Sequence, residues 1–431
     1  MFKIIILFLL FSILIFPTHA QDIETKIVTQ VNIDLDQAKR ELEEIVNINS
    51  GSMNFEGVIS VGRVLQKKLD ELGFETEITD GSSFGRAGHL IASYGTVGPK
   101  ILMIGHLDTV FSKEDNFQKY NNLEDNKVAG PGITDMKGGD IIIVSAVRVL
   151  KKLGLLNQVS IRIVMTGDEE RSGAPLSASK QAIVDAAVWA DIALGFEDGD
   201  GDIKTAVTSR RGSVGWTLDI TGKPAHSSQI FQDSVGYGAI YEAARILECF
   251  RVELSSMESL TFNPGMIVGG TRINYDGIAA AGDAFGKNNV IAKELKVTGD
   301  IRALSIEQLE LVKTKMQEIA NNNLQHTTAT LKFNEGYPPL APTSGNKELL
   351  ELYSGVSEDL GFGEVTSVIP RNAGAADISF TSGHVEMALD GLGLMGTGGH
   401  TKDEVADMTT LSKNIQKAAI LIYRLSKRSI S

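Results

Sequence analysis

Short stretches apolar on successive positions punctuate the first half of the chain. They cover 100–105 (Ile101, Leu102, Met103, Ile104), 160–166 and 191–196. Runs with no polar face fit strands of a parallel sheet covered on both sides by helices. Between them the spacing changes. Val58, Val61, Val64, Leu65 and Leu69 recur near a helical period and predict a helix over 56–72. Residues 136–153 and 174–187 read as crossover helices, and 34–98 as helix, helix, strand, strand. Strand and helix in alternation predict an α/β fold with a doubly wound, mostly parallel sheet.

The texture shifts after Ser209. Val214, Trp216, Leu218 and Ile220 alternate with polar or small residues, the pattern of a half-exposed antiparallel strand. A helix over 234–251, strands over 261–268 and 290–301, and a helix over 305–321 follow. Together they predict a smaller α+β domain inserted into the first. Helices over 347–360 and 410–425 then resume the α/β pattern. The expected organisation is 21–209 and 326–431 for the α/β domain and 210–325 for the insertion.

Residues 1–20 stand apart. A short basic start at Lys3, an apolar run from Ile4 to Phe16 and a small residue at Ala20 match a secretory signal segment too short to span a bilayer comfortably. An exported protein, periplasmic or secreted and without a membrane anchor after cleavage, is the expectation. Composition agrees with a folded protein: 42% of residues are apolar and 22% charged. The formal charge of −13 argues against nucleic acid, whose phosphates demand concentrated Lys and Arg. The single cysteine, Cys249, excludes an intramolecular disulfide.

Ligands of an open parallel sheet sit beyond the carboxyl ends of its strands. Here those ends carry His106-Leu107-Asp108, Asp168-Glu169-Glu170 and Glu197-Asp198. Asp135 precedes the crossover helix, and His400 lies in a Gly-rich turn. Imidazole and carboxylate ligands without thiolate suit zinc in a hydrolytic site, with cobalt or manganese as alternatives. Two histidines and three carboxylates are what two ions sharing one carboxylate require. Asp108, two residues beyond His106, is placed to accept the second imidazole N–H. A two-metal phosphoesterase is disfavoured, because no Gly-rich anion loop with basic support opens a helix.

Five segments in order carry a resemblance. They are Gly105-His106-Leu107-Asp108-Thr109-Val110, Gly132-Ile133-Thr134-Asp135-Met136-Lys137-Gly138-Gly139, Thr166-Gly167-Asp168-Glu169-Glu170, Gly222-Lys223-Pro224-Ala225-His226-Ser227 and Gly398-Gly399-His400-Thr401. The chain resembles the di-zinc metallopeptidases that include glutamate carboxypeptidase, aminoacylase, tripeptidase and succinyl-diaminopimelate desuccinylase, and most of all the glutamate carboxypeptidase branch. The resemblance implies that Asp135 bridges two zinc ions, with His106 and Glu197 completing one site and Glu170 and His400 the other. Asp198 is the rival of Glu197. It implies Glu169 as general base and a cis peptide after Asp135. It implies that the inserted domain is a lid through which a homodimer forms, bringing His226 to the partner's site as oxyanion donor. Asn289 and Arg302 are expected to grip the substrate's free carboxylate, and Arg371 adds a second cation. Two departures stand out: Ala292 replaces a proline common among relatives, and Ala375-Ala376-Asp377 replaces a Gly-(Ser/Thr)-Asp turn. The implied activity is release of a C-terminal amino acid such as glutamate from a peptide or N-acyl conjugate. Deacylase and dipeptidase activities stand beside it, as does a member that binds metal or ligand without turnover.

Overall fold

The computed structural model describes residues 18–277 and 279–428. The expected signal segment falls outside the described residues except for its last three. Among the described residues, no helix is long and apolar enough to cross a membrane.

A six-stranded sheet forms the larger domain. Its spatial order is Glu75–Ile78, Leu90–Tyr94, Ser160–Thr166, Lys100–His106, Ile192–Gly195 and Met387–Leu389. The last four run parallel, and the first two form an antiparallel edge. The mostly parallel α/β sheet is therefore as the apolar runs require. Strand Lys100–His106 shows why no polar face was visible. Ile101 and Met103 pack into one helical layer, whereas Leu102 and Ile104 pack into the other. The first layer holds helices Thr18–Val46, Gly138–Lys152 and Thr409–Leu425, and the second holds Gln181–Trp189.

Helix Gly138–Lys152 begins later than its apolar pattern suggests, because residues Ile133–Lys137 form an irregular turn. The turn includes a cis peptide between Asp135 and Met136. Gly139 lets the helix start abut a strand end, since a Cβ there would stand 2.0 Å from the Phe196 carbonyl oxygen. The expected helix over 174–187 is broken in two, Leu176–Ser179 and Gln181–Trp189, with Lys180 at the break.

The inserted domain is a four-stranded antiparallel sheet in the order Thr261–Gly270, Glu294–Arg302, Val214–Gly222 and Thr327–Phe333. Helices Gly238–Leu254 and Ile306–Asn321 cover one face, burying Trp216, Leu218, Phe250 and Val297. Ser305 starts the second helix by accepting the Gln308 N–H at 3.1 Å. One boundary is corrected. Strand Thr327–Phe333, assigned to the resumed α/β domain from sequence, pairs with Val214–Gly222 in the inserted sheet. Only Ala329 and Leu331 of that strand are buried in the inserted core, too few apolar positions to announce it.

Candidate metal centre

Two parallel strands and three loops bring the acidic and imidazole groups together. His106 closes strand Lys100–His106, and its Nε2 lies 3.0 Å from Asp135 Oδ1 and 3.7 Å from Glu197 Oε1. His400 approaches from the opposite side, its Nε2 2.8 Å from Asp135 Oδ2 and 3.0 Å from Glu170 Oε2. Two ligand groups result, His106–Asp135–Glu197 and Asp135–Glu170–His400, with Asp135 common to both. Asp198, the rival, belongs to neither group.

The electrostatics of this cluster call for cations. Burial pushes the Glu197 and Glu170 carboxyls above the usual carboxylate range, with the Asp135 charge adding to it. Burial also opposes charge on Asp135, but hydrogen bonds from His106 and His400 outweigh it and hold that carboxyl low. The same bond to Asp135, with one to Glu170, pushes His400 up to about 11. Three carboxylates thus meet two imidazoles here, with the buried Arg210 guanidinium also facing Glu197. Glu170 Oε1 is buried without a hydrogen-bond partner. Divalent ions fit this donor set: they supply the missing positive charge and use the free oxygen.

The surroundings fix the ligands. The Asp108 carbonyl oxygen lies 2.9 Å from His106 Nδ1; a carbonyl only accepts, so Nδ1 carries the proton and Nε2 faces the cluster. The Asp108 carboxylate, expected to take that proton, lies 3.5 Å from the same nitrogen, so the backbone carbonyl is the nearer acceptor. The carboxylate also accepts from Ser52 Oγ at 2.6 Å and from the backbone N–H groups of Glu169 and Glu170 at 3.0 and 3.2 Å. Glu404 does comparable work across the site. It accepts from the N–H groups of Gly132 (2.8 Å), Thr134 (2.8 Å) and Asp135 (3.3 Å) and from Thr134 Oγ1 (3.1 Å). Strand Val405–Asp407 pairs with Lys127–Ala129, so the His400 loop and the Asp135 turn share one small sheet. His400 itself has φ +64°, the left-handed region unusual for a side-chain-bearing residue.

Glu169 sits beside this cluster and outside both ligand groups. Burial, then the nearby Asp377, drive its carboxyl well above the usual range. Behind it lies a buried polar network in which Lys180 Nζ is 3.0 Å from Asp168 Oδ1 and 3.1 Å from Asp377 Oδ1.

Residues 102–426 match peptidase family M20/M25/M40. The chain belongs to this family. Among curated M20 relatives, carboxypeptidase G2 of Pseudomonas sp. is 26% identical over 89% of this chain and 88% of that protein. Aminopeptidase PepT of Bacillus cereus superposes with a TM-score of 0.72 at 21% identity, covering 91% of this chain and 99% of that one. A Bacillus subtilis protein described as a dinuclear metal binding peptidase of the M20 family superposes at 0.64 and 16% identity, covering 92% of this chain and 99% of the other. The protein is an M20 metallohydrolase with a dinuclear metal site.

The remaining predicted residues of this M20 protein form two further groups. His226 and Asn289 share one exposed lip of the inserted domain. The Ser227 N–H donates to the Asn289 carbonyl at 2.9 Å, and His226 Nδ1 lies 2.9 Å from Ser228 Oγ. Neither belongs to the ligand groups of its own chain. Arg302 and Arg371 gather around a third cation, Arg211. Burial first, then the charges of Arg302 and Arg371, lower the Arg211 pKa. Asp300 accepts from Arg302 Nε at 2.8 Å. Arg211 was missed in the sequence because Arg210-Arg211 reads as a solvated pair. In fact Arg210 turns inward to Asp390 at 2.8 Å, and Arg211 turns to Thr261 Oγ1 at 2.8 Å.

Proposed function

We propose that this M20 enzyme is an exported, zinc-dependent carboxypeptidase that releases a C-terminal amino acid, such as glutamate, from a peptide or N-acyl conjugate. The observation carrying the proposal is the pairing of a two-ion ligand cluster and adjacent Glu169 with three arginines gathered where the inserted domain meets the loop at Arg371. Three guanidiniums against the single Asp300 leave excess positive charge, which suits a substrate with a free carboxylate. Similarity to carboxypeptidase G2 supports the same direction. The residues Met1 to Ala20 support export.

When bound, the pair of divalent ions supplies a water of lowered pKa and polarises the scissile carbonyl. Glu169, whose carboxyl burial holds above the ordinary range, takes the proton from water and returns it to the departing amine nitrogen. Arg302, helped by Arg371 and Asn289, holds the substrate's terminal carboxylate. His226 hydrogen-bonds the carbonyl oxygen as negative charge develops there. Its exposed lip fits delivery to a second copy's site, in a homodimer formed through the inserted domains.

The test is amino-acid release from dipeptides, N-acyl amino acids and glutamate conjugates by the mature chain with added zinc. Arg302→Ala is expected to raise KM roughly tenfold for substrates with a free carboxylate while sparing their amides. Equal effects on both would remove the carboxylate clamp from the proposal. Cleavage of N-acetyl amino acids but of no peptide or conjugate would favour the deacylase reading instead.

A further inference from the structure

The inserted domain is joined to the α/β domain by two chain segments that pair with each other. Arg210 and Leu340 exchange N–H···O bonds of 3.0 and 2.9 Å, and the Ser213 N–H donates to the Tyr337 carbonyl at 2.9 Å. The ladder continues into the inserted sheet through the bond from the Asn334 N–H to the Gly215 carbonyl at 2.9 Å and the pairing of Phe333 with Trp216. Tyr337 therefore belongs to the crossing itself. Its side chain, however, reaches into the α/β domain. The ring packs edge-on against Phe380 at a centroid distance of 4.9 Å. The hydroxyl lies 3.2 Å from the Glu169 carbonyl oxygen, 3.0 Å from Asp377 Oδ1 and 3.1 Å from Ser172 Oγ.

A phenol has one proton to give. Two acceptors compete for it here, the Glu169 carbonyl and the Asp377 carboxylate, and Asp377 is already held by Lys180. Ser172 Oγ, 3.1 Å away, is placed to donate to the phenol oxygen once that proton is given to either acceptor. Which acceptor takes the proton depends on shifts of a few tenths of an ångström, the scale of a small rotation at the crossing. The opposite end of the Glu169 residue is fixed, because its N–H donates to Asp108 Oδ1 at 3.0 Å. Glu169 is thus tethered at its nitrogen to the metal-ligand side and at its carbonyl to the inter-domain crossing.

We infer that the Tyr337 hydroxyl couples the position of the inserted domain to the placement of Glu169, so that substrate held by that domain sets the base. Tyr337 is a positioning residue in this scheme, which rests on the reading of Glu169 as general base and of the inserted domain as carboxylate holder. A tyrosine serving only to fill the core would be equally content with any buried acceptor. This one is carried by a segment that joins the two domains, and it bonds the backbone of the base.

The test uses the metal-loaded enzyme and Tyr337→Phe, which keeps the ring contact with Phe380 and removes only the hydroxyl. Substrates are an N-acyl amino acid with a free carboxylate and the corresponding amide. For the free acid, kcat is expected to fall roughly tenfold, with KM within about twofold of wild type, as a misplaced catalytic group predicts. For the amide, which the arginines do not grip, wild type and variant should turn over at the same slow rate. Unchanged kcat on the free acid overturns the inference. So does an equal loss on both substrates, which would make the hydroxyl a local prop. Should the variant lose metal or fold, hydrogen exchange on wild type decides. Binding of the released amino acid should slow exchange over residues 168–173 as well as in the inserted domain, and absence of slowing at 168–173 overturns the coupling. Wild type that cleaves neither substrate would instead defeat the functional proposal.

Discussion

Replacing Glu404 by glutamine tests how much of the metal affinity is built by a residue that touches no ion. Glu404 Oε2 accepts from the Gly132 N–H, while Oε1 accepts from Thr134 and Asp135. Glutamine keeps the shape and one oxygen. With that oxygen left on the Thr134–Asp135 side, its NH₂ faces the Gly132 N–H, donor against donor, inside a site where Glu404 is fully buried. An unsatisfied buried donor costs about 1–3 kcal/mol. The turn that it loosens presents Asp135, the ligand common to both ion groups. Removal of outer hydrogen bonds of this kind typically weakens metal binding about 10–100-fold. That range is ~1.4–2.7 kcal/mol, within the hydrogen-bond estimate. Competitive zinc titration against a chromophoric chelator reads the affinity, and urea unfolding of the metal-free chain reads stability separately. Glu404→Gln should bind zinc at least about tenfold more weakly. Affinity within twofold of wild type, with only the metal-free stability reduced, would refute the reasoning and leave Glu404 as scaffold.

Three further outcomes follow from the same geometry. Glu169→Gln should lower kcat by about 10²–10⁴-fold while two ions per chain remain, measured by steady-state kinetics and elemental analysis; loss of an ion would make Glu169 a ligand. Metal should leave in two phases during chelator treatment, because the His400 side chain is 58% exposed and that of His106 only 1%. A His400→Ala variant should retain just the slow phase, and a single phase in wild type would argue against unequal sites. Lys417 is buried against Tyr353, and burial lowers its pKa to about 7. Its folded pKa lies below the unfolded value, so between pH 7 and about 10 only the unfolded chain binds this proton and stability rises with pH. The slope is about 1.4 kcal/mol per pH unit from this group. Lys417→Met should flatten the rise in urea-unfolding free energy between pH 7 and 9 in metal-free buffer, and an unchanged slope would mean that the ammonium stays charged beside the Ile203 carbonyl.

The residues of the two candidate ion groups were legible because each follows a sequence signal. His106 and Glu197 end or follow apolar strands of the parallel sheet, Glu170 follows another, and Asp135 and His400 lie among glycines. Asp108 apart, the residues that hold them were not. Glu404 reads as one more acid in a polar loop, and its partners lie 269 to 272 positions away. Tyr337, between Gly336 and Pro338, reads as a turn residue, yet it contacts Glu169 across 168 positions. Lys180 sat inside an apparently continuous helical pattern, and only the fold shows it breaking that helix to reach Asp168 and Asp377. Periodicity reports which face of an element is buried. It carries no record of which distant carboxylate a buried polar group will meet.

The paired crossing at Arg210–Leu340 and Ser213–Tyr337 also bears on how this protein is divided into modules. Both ends of the inserted domain arrive at one place, within a single N–H···O bond of 2.9 Å between Ser213 and Tyr337. Every residue of the two ion groups lies outside that excursion. A tight turn closing the gap would thus leave the ion-binding body connected in its native order, while His226, Asn289 and Arg302 would depart together. On the proposed reading, the ion groups and much of the substrate-gripping set lie on separable pieces of the chain, while Arg371 and the bond from Tyr337 to Glu169 tie the two together. Substitutions in the inserted domain away from those ties would then retune what is cleaved and leave the ion groups in place.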